Sequence, residues 1–200
     1  MTDYFALFDE SRRPWLDAEK LKAKFLILSA QAHPDKNPVN KRETANQHFA
    51  ELNVAFNCLR EPKERLRHLL ALELGERPKQ VQAVPEGLMK LFAEIAGLRR
   101  EVHAFLAESR RVESPLLRVQ WFERAQDWTD RLRAVHRRLE ESEGGLLRDL
   151  QTLDFEWSRL GSDPVNRGLI LQRIDQIHQQ LSFYTRWSGQ LQETMLQLSF

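Results

Sequence analysis

Apolar side chains recur at steps of three and four through most of this chain, and that period belongs to an α-helix buried on one face. Leu21, Phe25, Leu28 and Ala32 form one such stripe, and Ala45, Phe49, Leu52, Phe56 and Leu59 form a second. Leu66, Leu69, Leu70 and Leu74 make a shorter third. A long fourth stripe runs through Leu88, Leu91, Phe92, Ile95, Leu98, Val102, Phe105 and Leu106, and Trp121, Ala125, Trp128, Leu132, Val135 and Leu139 make a fifth. After a leucine-rich stretch at 146–157, Ile170, Ile174, Ile177, Leu181, Tyr184, Leu191, Met195 and Leu198 carry the pattern almost to the last residue. An all-α fold is expected. Stripes this narrow fit antiparallel helical packing.

Prolines and glycines divide the helices. Asp17 is placed to cap the first long one, and Gly75 to end the third with its freedom to adopt positive φ. Glu61-Pro62 separates the second from the third. The segment 76–87, with Pro78, Pro85 and Gly87, reads as a linker. Ser114 then stands as N-cap to a helix with Pro115 at its first position. Gly144-Gly145 and Gly161-Ser162-Asp163-Pro164 mark later breaks. The expected organisation is an antiparallel helix pair with a third short helix over 1–75, the linker at 76–87, and an antiparallel three-helix-type bundle over 88–200. Tyr4, Phe5, Leu7 and Phe8 give the first pair an aromatic-rich cover.

The turn between the first two long helices has unusual chemistry. Proline disfavours helical backbone in the residue before it, so the helix ending Ser29-Ala30-Gln31-Ala32 should stop near His33. His33-Pro34-Asp35 then sets an imidazole and a carboxylate on either side of a rigid ring, followed by Lys36-Asn37-Pro38. Such a turn has little conformational entropy left to lose on binding, which suits docking. Lys20, Lys22 and Lys24 lie on the helix leading into it.

Composition limits what the turn can serve. Charged residues are 30% of the 200, yet the formal net charge is only +1, so neither nucleic acid nor a membrane surface is an expected partner. The single cysteine, Cys58, sits in a helical pattern and reads as a small buried side chain in a reducing compartment. Hydrophobic runs are short, and Met1-Thr2-Asp3-Tyr4 lacks the character of a secretion signal; a soluble cytoplasmic protein is expected. His48, His103, His136 and His178 have no partners at metal-ligand spacing, so no metal and no cofactor is implied. His33 and Asp35 could be imagined as acid and base, but no nucleophile, phosphate loop or third ligand accompanies them in sequence. An enzyme is not expected.

Taken together, these residues resemble a J-domain. Asp3-Tyr4-Phe5-Ala6-Leu7-Phe8, a basic-faced helix, His33-Pro34-Asp35-Lys36, the helix containing Leu52-Asn53-Val54-Ala55-Phe56-Asn57-Cys58-Leu59, then Pro62 and Arg65 follow the family's order and spacing across about the first 75 residues. The resemblance implies docking on a heat-shock ATPase of the HscA/DnaK class through His33, Pro34, Asp35, Lys36, Lys20 and Lys24, with stimulation of ATP hydrolysis. Arg65-Leu66-Arg67-His68-Leu69-Leu70 is similar to the Arg-x-x-Tyr-Leu-Leu of the HscB/Jac-type co-chaperones of iron–sulfur cluster assembly, with His68 in place of the tyrosine. Ala30 and Gln31 stand where the family often has basic residues.

There is no Gly/Phe-rich linker and no CxxC repeat, which sets the chain apart from J-proteins with zinc modules. HscB-type proteins carry instead a three-helix bundle that holds the scaffold protein IscU. Leu88-Met89 resembles a Leu-Met pair of the scaffold-binding helix, and Leu88, Met89 and Phe92 are the client-binding candidates; as members of a stripe they equally suit the core. A different client, or a coiled-coil dimer recruiting DnaK, is the alternative use of the bundle.

Overall fold

The computed structural model describes residues 1–32, 42–76, 78, 83–109, 115–160 and 164–199. Those residues form seven α-helices and no strand: α1 (Tyr4–Leu7), α2 (Ala18–Ala32), α3 (Arg42–Arg60), α4 (Pro62–Leu74), α5 (Met89–Ser109), α6 (Pro115–Arg159) and α7 (Pro164–Leu198), with a 3-10 turn at Glu86–Leu88 before α5. The all-α expectation holds. Several of its expected helix ends hold as well. Asp17 Oδ1 accepts the backbone N–H groups of Glu19 and Lys20, both at 3.0 Å, and starts α2. Pro62 opens α4, and Gly75 closes it at φ 75°, where its N–H returns to the Ala71 carbonyl. Ser114 lies outside the described residues, but Pro115 is the first residue of α6.

Gly144-Gly145 does not end a helix: α6 runs unbroken for 45 residues. Two glycines weaken a helix by roughly 2 kcal/mol relative to alanine. Against that, the apolar stripe stays in register through them, from Leu132, Val135 and Leu139 to Leu150, Leu153 and Trp157, all buried. Each such side chain contributes about 1.5–3 kcal/mol of burial. The stripe outweighs the pair.

Packing divides the chain into two compact units, and they do not follow chain order. One comprises Met1–Lys79 with Leu147–His178, the other Gln80–Leu146 with Gln179–Phe200. α6 and α7 therefore contribute to both. In the first unit, α2 and α3 pair as an antiparallel hairpin, with the Phe25 and Phe56 rings stacked at 4.2 Å, and α1 and α4 cover it. Phe5, Phe8, Leu21, Leu52, Leu59 and Leu66 are among its buried residues. In the second, α5 packs with its own stretches of α6 and α7 around Ile95, Leu98, Val102, Leu132, Leu139 and Trp187.

The segment between α1 and α2 is tied to the later helices of its unit. Arg13 grips buried Asp154 of α6 in a two-pronged pair, and Asp154 Oδ1 also accepts the Trp15 N–H at 3.2 Å. Trp157 donates its indole N–H to the Arg12 carbonyl at 2.8 Å. Arg167 lies over the Trp157 ring at 4.3 Å and pairs with Glu73 of α4 at 2.6 Å. Bidentate pairing and stacking suit arginine rather than lysine at these positions.

Candidate functional site

α2 presents its lysines in two ways. Lys20 and Lys22 are exposed and make no ion pair among the described residues. Lys24 turns back onto the end of α1, where Asp9 at φ 50° and the Glu10 N–H returning to the Phe5 carbonyl form a left-handed helix stop. Lys24 Nζ donates to the carbonyls of Phe8 (3.3 Å) and Asp9 (3.0 Å) and pairs with Glu10 at 2.5 Å. A cation there satisfies helix-terminal carbonyls. Lys24 thus holds α1 against α2, while Lys20 and Lys22 leave their charge to solvent. His33, Pro34, Asp35 and Lys36 lie outside the described residues.

α2 and α3 are braced by Arg65. Its side chain is buried, donating from Nε to the Pro14 carbonyl at 2.9 Å and from Nη1 to the Leu59 carbonyl at 2.6 Å. Burial pulls its pKa down to about 10, and the Asp154 carboxylate opposes the shift. The group remains a cation at neutral pH. It satisfies a carbonyl in the last turn of α3 and another just before α2, tying both long helices to α4. Cys58, beside Glu64, is a half-buried thiol pushed up to about 11, first by burial, and so stays protonated.

His68 stands where the resembling motif has tyrosine, and it has a defined job. Its Nε2 accepts the Tyr4 backbone N–H at 3.1 Å, and its ring stacks on Tyr4 at 4.5 Å and Phe5 at 5.8 Å. That bond requires the neutral imidazole. Burial lowers the His68 pKa, helped by Arg12 and Arg67 and opposed by Asp3. Burial also lowers that of His178 on α7. A base whose pKa is depressed by folding favours the unfolded state once protons bind, so this contribution is present above the ordinary value near 6.5 and is lost as pH falls below it. Stability should therefore decline between about pH 7 and 5. Urea melts across that range test this, and His68→Gln should flatten part of the slope; a wild-type profile flat to pH 5 would contradict it. Asp3, whose carboxyl burial alone would raise, is held below its ordinary 3.8 by Arg12 and the N–H groups of Ala6 and Phe5, so its titration falls in a lower window.

On the bundle, the three client candidates separate. Leu88 is 8% exposed and packs into the core of the second unit, so it supports the surface rather than forming it. The reason is its position at the end of the 3-10 turn, where the chain folds in to start α5. Met89 (49% exposed) and Phe92 (40%) face outward one helical turn apart. Phe92 leans its ring toward Trp187 at 6.1 Å. Glu94, two residues on, is paired with Arg138 of α6 at 2.7 Å and by helical geometry lies away from this apolar pair. Among the described residues, no group of His, Cys, Asp and Glu could hold a metal ion, and no helix is long and apolar enough to cross a membrane.

The family model for the DnaJ domain matches residues 9–68, a span that includes His33-Pro34-Asp35. Residues 9–68 are a DnaJ domain. Its whole fold is similar to that of chaperone HscB from Vibrio cholerae, with TM-score 0.64 at 20% identity over 98% of this chain and 99% of that one. It is similar also to the human co-chaperone protein HscB, with TM-score 0.60 at 17% identity over 96% and 81% respectively. J-domain proteins are co-chaperones rather than enzymes, and a J-domain implies an Hsp70-type partner.

Proposed function

We propose that this J-domain protein acts in the cytoplasm to stimulate ATP hydrolysis by a heat-shock ATPase of the HscA/DnaK class, and that it delivers an IscU-type scaffold protein on which iron–sulfur clusters are built. The observation that carries this reading is the pairing of a DnaJ domain with an HscB-like fold over 98% of the chain. In this account the iron–sulfur cluster is cargo, and the chain itself needs no cofactor.

Lys20 and Lys22 steer α2 toward an acidic face of the ATPase, and the field of such exposed cations acts chiefly on the encounter rate. Lys24 adds to that field from its place beside Glu10. His33-Pro34-Asp35, with Lys36, then engages the ATPase. Stimulation follows if the turn binds the hydrolysis-competent state of the ATPase more tightly than the resting one. Meanwhile Met89 and Phe92, both exposed, hold the scaffold protein.

Binding of purified IscU-type scaffold by titration calorimetry tests the cargo half of this reading. Met89→Lys and Phe92→Ala should each weaken it at least tenfold, the size expected when an anchor side chain is lost from a small interface. Both side chains are exposed, so thermal melts should stay close to wild type. Unchanged affinity in both variants would remove this surface from the cargo site.

A further inference from the structure

The DnaJ match ends at residue 68, yet the folded unit that contains it also takes in Leu147–His178. Residues 12–15 are where the two parts join. They lie between α1 and α2 without helix or strand of their own, so their backbone groups need other partners. Side chains supply them. Trp157 of α6 donates to the Arg12 carbonyl at 2.8 Å, Arg65 of α4 donates to the Pro14 carbonyl at 2.9 Å, and Asp154 of α6 accepts the Trp15 N–H at 3.2 Å. Asp154 also takes the Arg13 guanidinium on both oxygens, with Nε 3.0 Å from Oδ1. Two of those three backbone partners, and the ion pair, thus come from outside the DnaJ match. Pro14 and Leu16 are buried and Asp17 caps α2 directly afterwards, so whatever holds residues 12–15 also holds the first turn of α2.

We propose that Asp154 is a positioning residue for stimulation of the Hsp70-type ATPase: from outside the DnaJ domain it fixes residues 13–15, and through them the start and rotation of α2. A buried ion pair adds little net stability, because desolvation of its members offsets their attraction; what it can select is one geometry over its neighbours. Asp154 is 5% exposed on a stripe, Leu150, Leu153 and Trp157, that is otherwise apolar. Arg13 spans both of its oxygens, which fixes direction as well as distance. The inference rests on the reading under Proposed function and deepens it. Stimulation requires tighter binding to one state of the ATPase than to another, and such discrimination needs contacts held to within about 0.5 Å. A loosely held α2 would still bind, but it would favour the hydrolysis-competent state less.

Steady-state ATP hydrolysis by the HscA-class or DnaK-class chaperone that the wild-type chain stimulates, titrated to saturation with each full-length variant, tests it. Asp154→Asn keeps the shape of the side chain and an acceptor for the Trp15 N–H, and removes the charge opposite Arg13. It should lower maximal stimulation about fivefold and leave the half-saturating concentration within about twofold of wild type. Arg13→Gln breaks the same pair from its other side and should do the same, and the double variant should be no worse than either single one. A merely structural role reads differently: an unfolded fraction dilutes the active protein, which raises the half-saturating concentration and leaves the plateau where it was. An Asp154→Asn plateau equal to that of wild type therefore overturns the proposal, whatever its melting midpoint, and leaves the co-chaperone reading standing. So do losses that multiply in the double variant, because two residues acting through one pair cannot lose it twice. A wild-type chain that stimulates neither chaperone overturns both.

Discussion

His33→Gln should abolish stimulation of the Hsp70-type ATPase, leaving hydrolysis at the rate of the chaperone alone. The carboxamide keeps approximately the size and polarity of the imidazole, and Pro34 is unchanged, so the loss comes from the contact. Circular dichroism melts of the variant should overlay wild type, because His33 follows the end of α2 at Ala32 and belongs to none of the apolar stripes. An ATPase titration reads the effect directly. Full stimulation by His33→Gln would remove the turn from the mechanism.

The largest effect on stability should come from Arg65→Ala. The guanidinium is buried, and it is the donor to the carbonyls of Pro14 and Leu59. Truncation leaves both acceptors without that partner in a site closed to water and opens a cavity along the removed stem. Each buried polar group stripped of its partner costs about 1–3 kcal/mol, so a loss of about 3 kcal/mol or more is expected. Urea unfolding monitored by far-UV circular dichroism measures it. A shift under about 0.5 kcal/mol, the size of an ordinary surface substitution, would show that the brace is not needed. Arg65→Met restores stem volume without donors, and its melting midpoint should fall between the other two.

Much of the architecture was legible because it is local. Stripes at helical spacing announced the helices, and Asp17, Pro62, Gly75 and Pro115 marked ends that depend only on nearby backbone. The continuity of α6 was less legible. Gly144-Gly145 is a strong local signal for a break, and it was overridden by packing that can be read only once partners are known. The site was legible unevenly. Residues 33–36 declared themselves as a string, whereas Lys24 looks like its neighbours in sequence yet bonds to carbonyls 15 and 16 residues away. Leu88 and Phe92 share a stripe and Met89 falls off it, yet Phe92, at the stripe's edge, is exposed like Met89 while Leu88 is buried.

The ties of Arg12 and Arg13 to α6 were not legible at all, because their partners lie 145 and 141 positions along the chain. One signal did exist. Asp154 falls at helical spacing within Leu150, Leu153 and Trp157, and a carboxylate on an apolar stripe demands a buried cation or donors. Leu26 and Ile27, both exposed on α2, carried the reverse signal. They interrupt no stripe, because they sit on the face that a hairpin helix ordinarily leaves polar.

The central claim is that one chain couples an Hsp70-type ATPase to an iron–sulfur scaffold cargo. Steady-state ATP hydrolysis by HscA-class and DnaK-class chaperones, each with this protein, with IscU-type scaffold, and with both together, tests it most directly. The account predicts modest stimulation by either component alone and a synergistic increase, well above their sum, with one chaperone when both are present. Purely additive rates with every chaperone, or no stimulation by this protein at all, would contradict it.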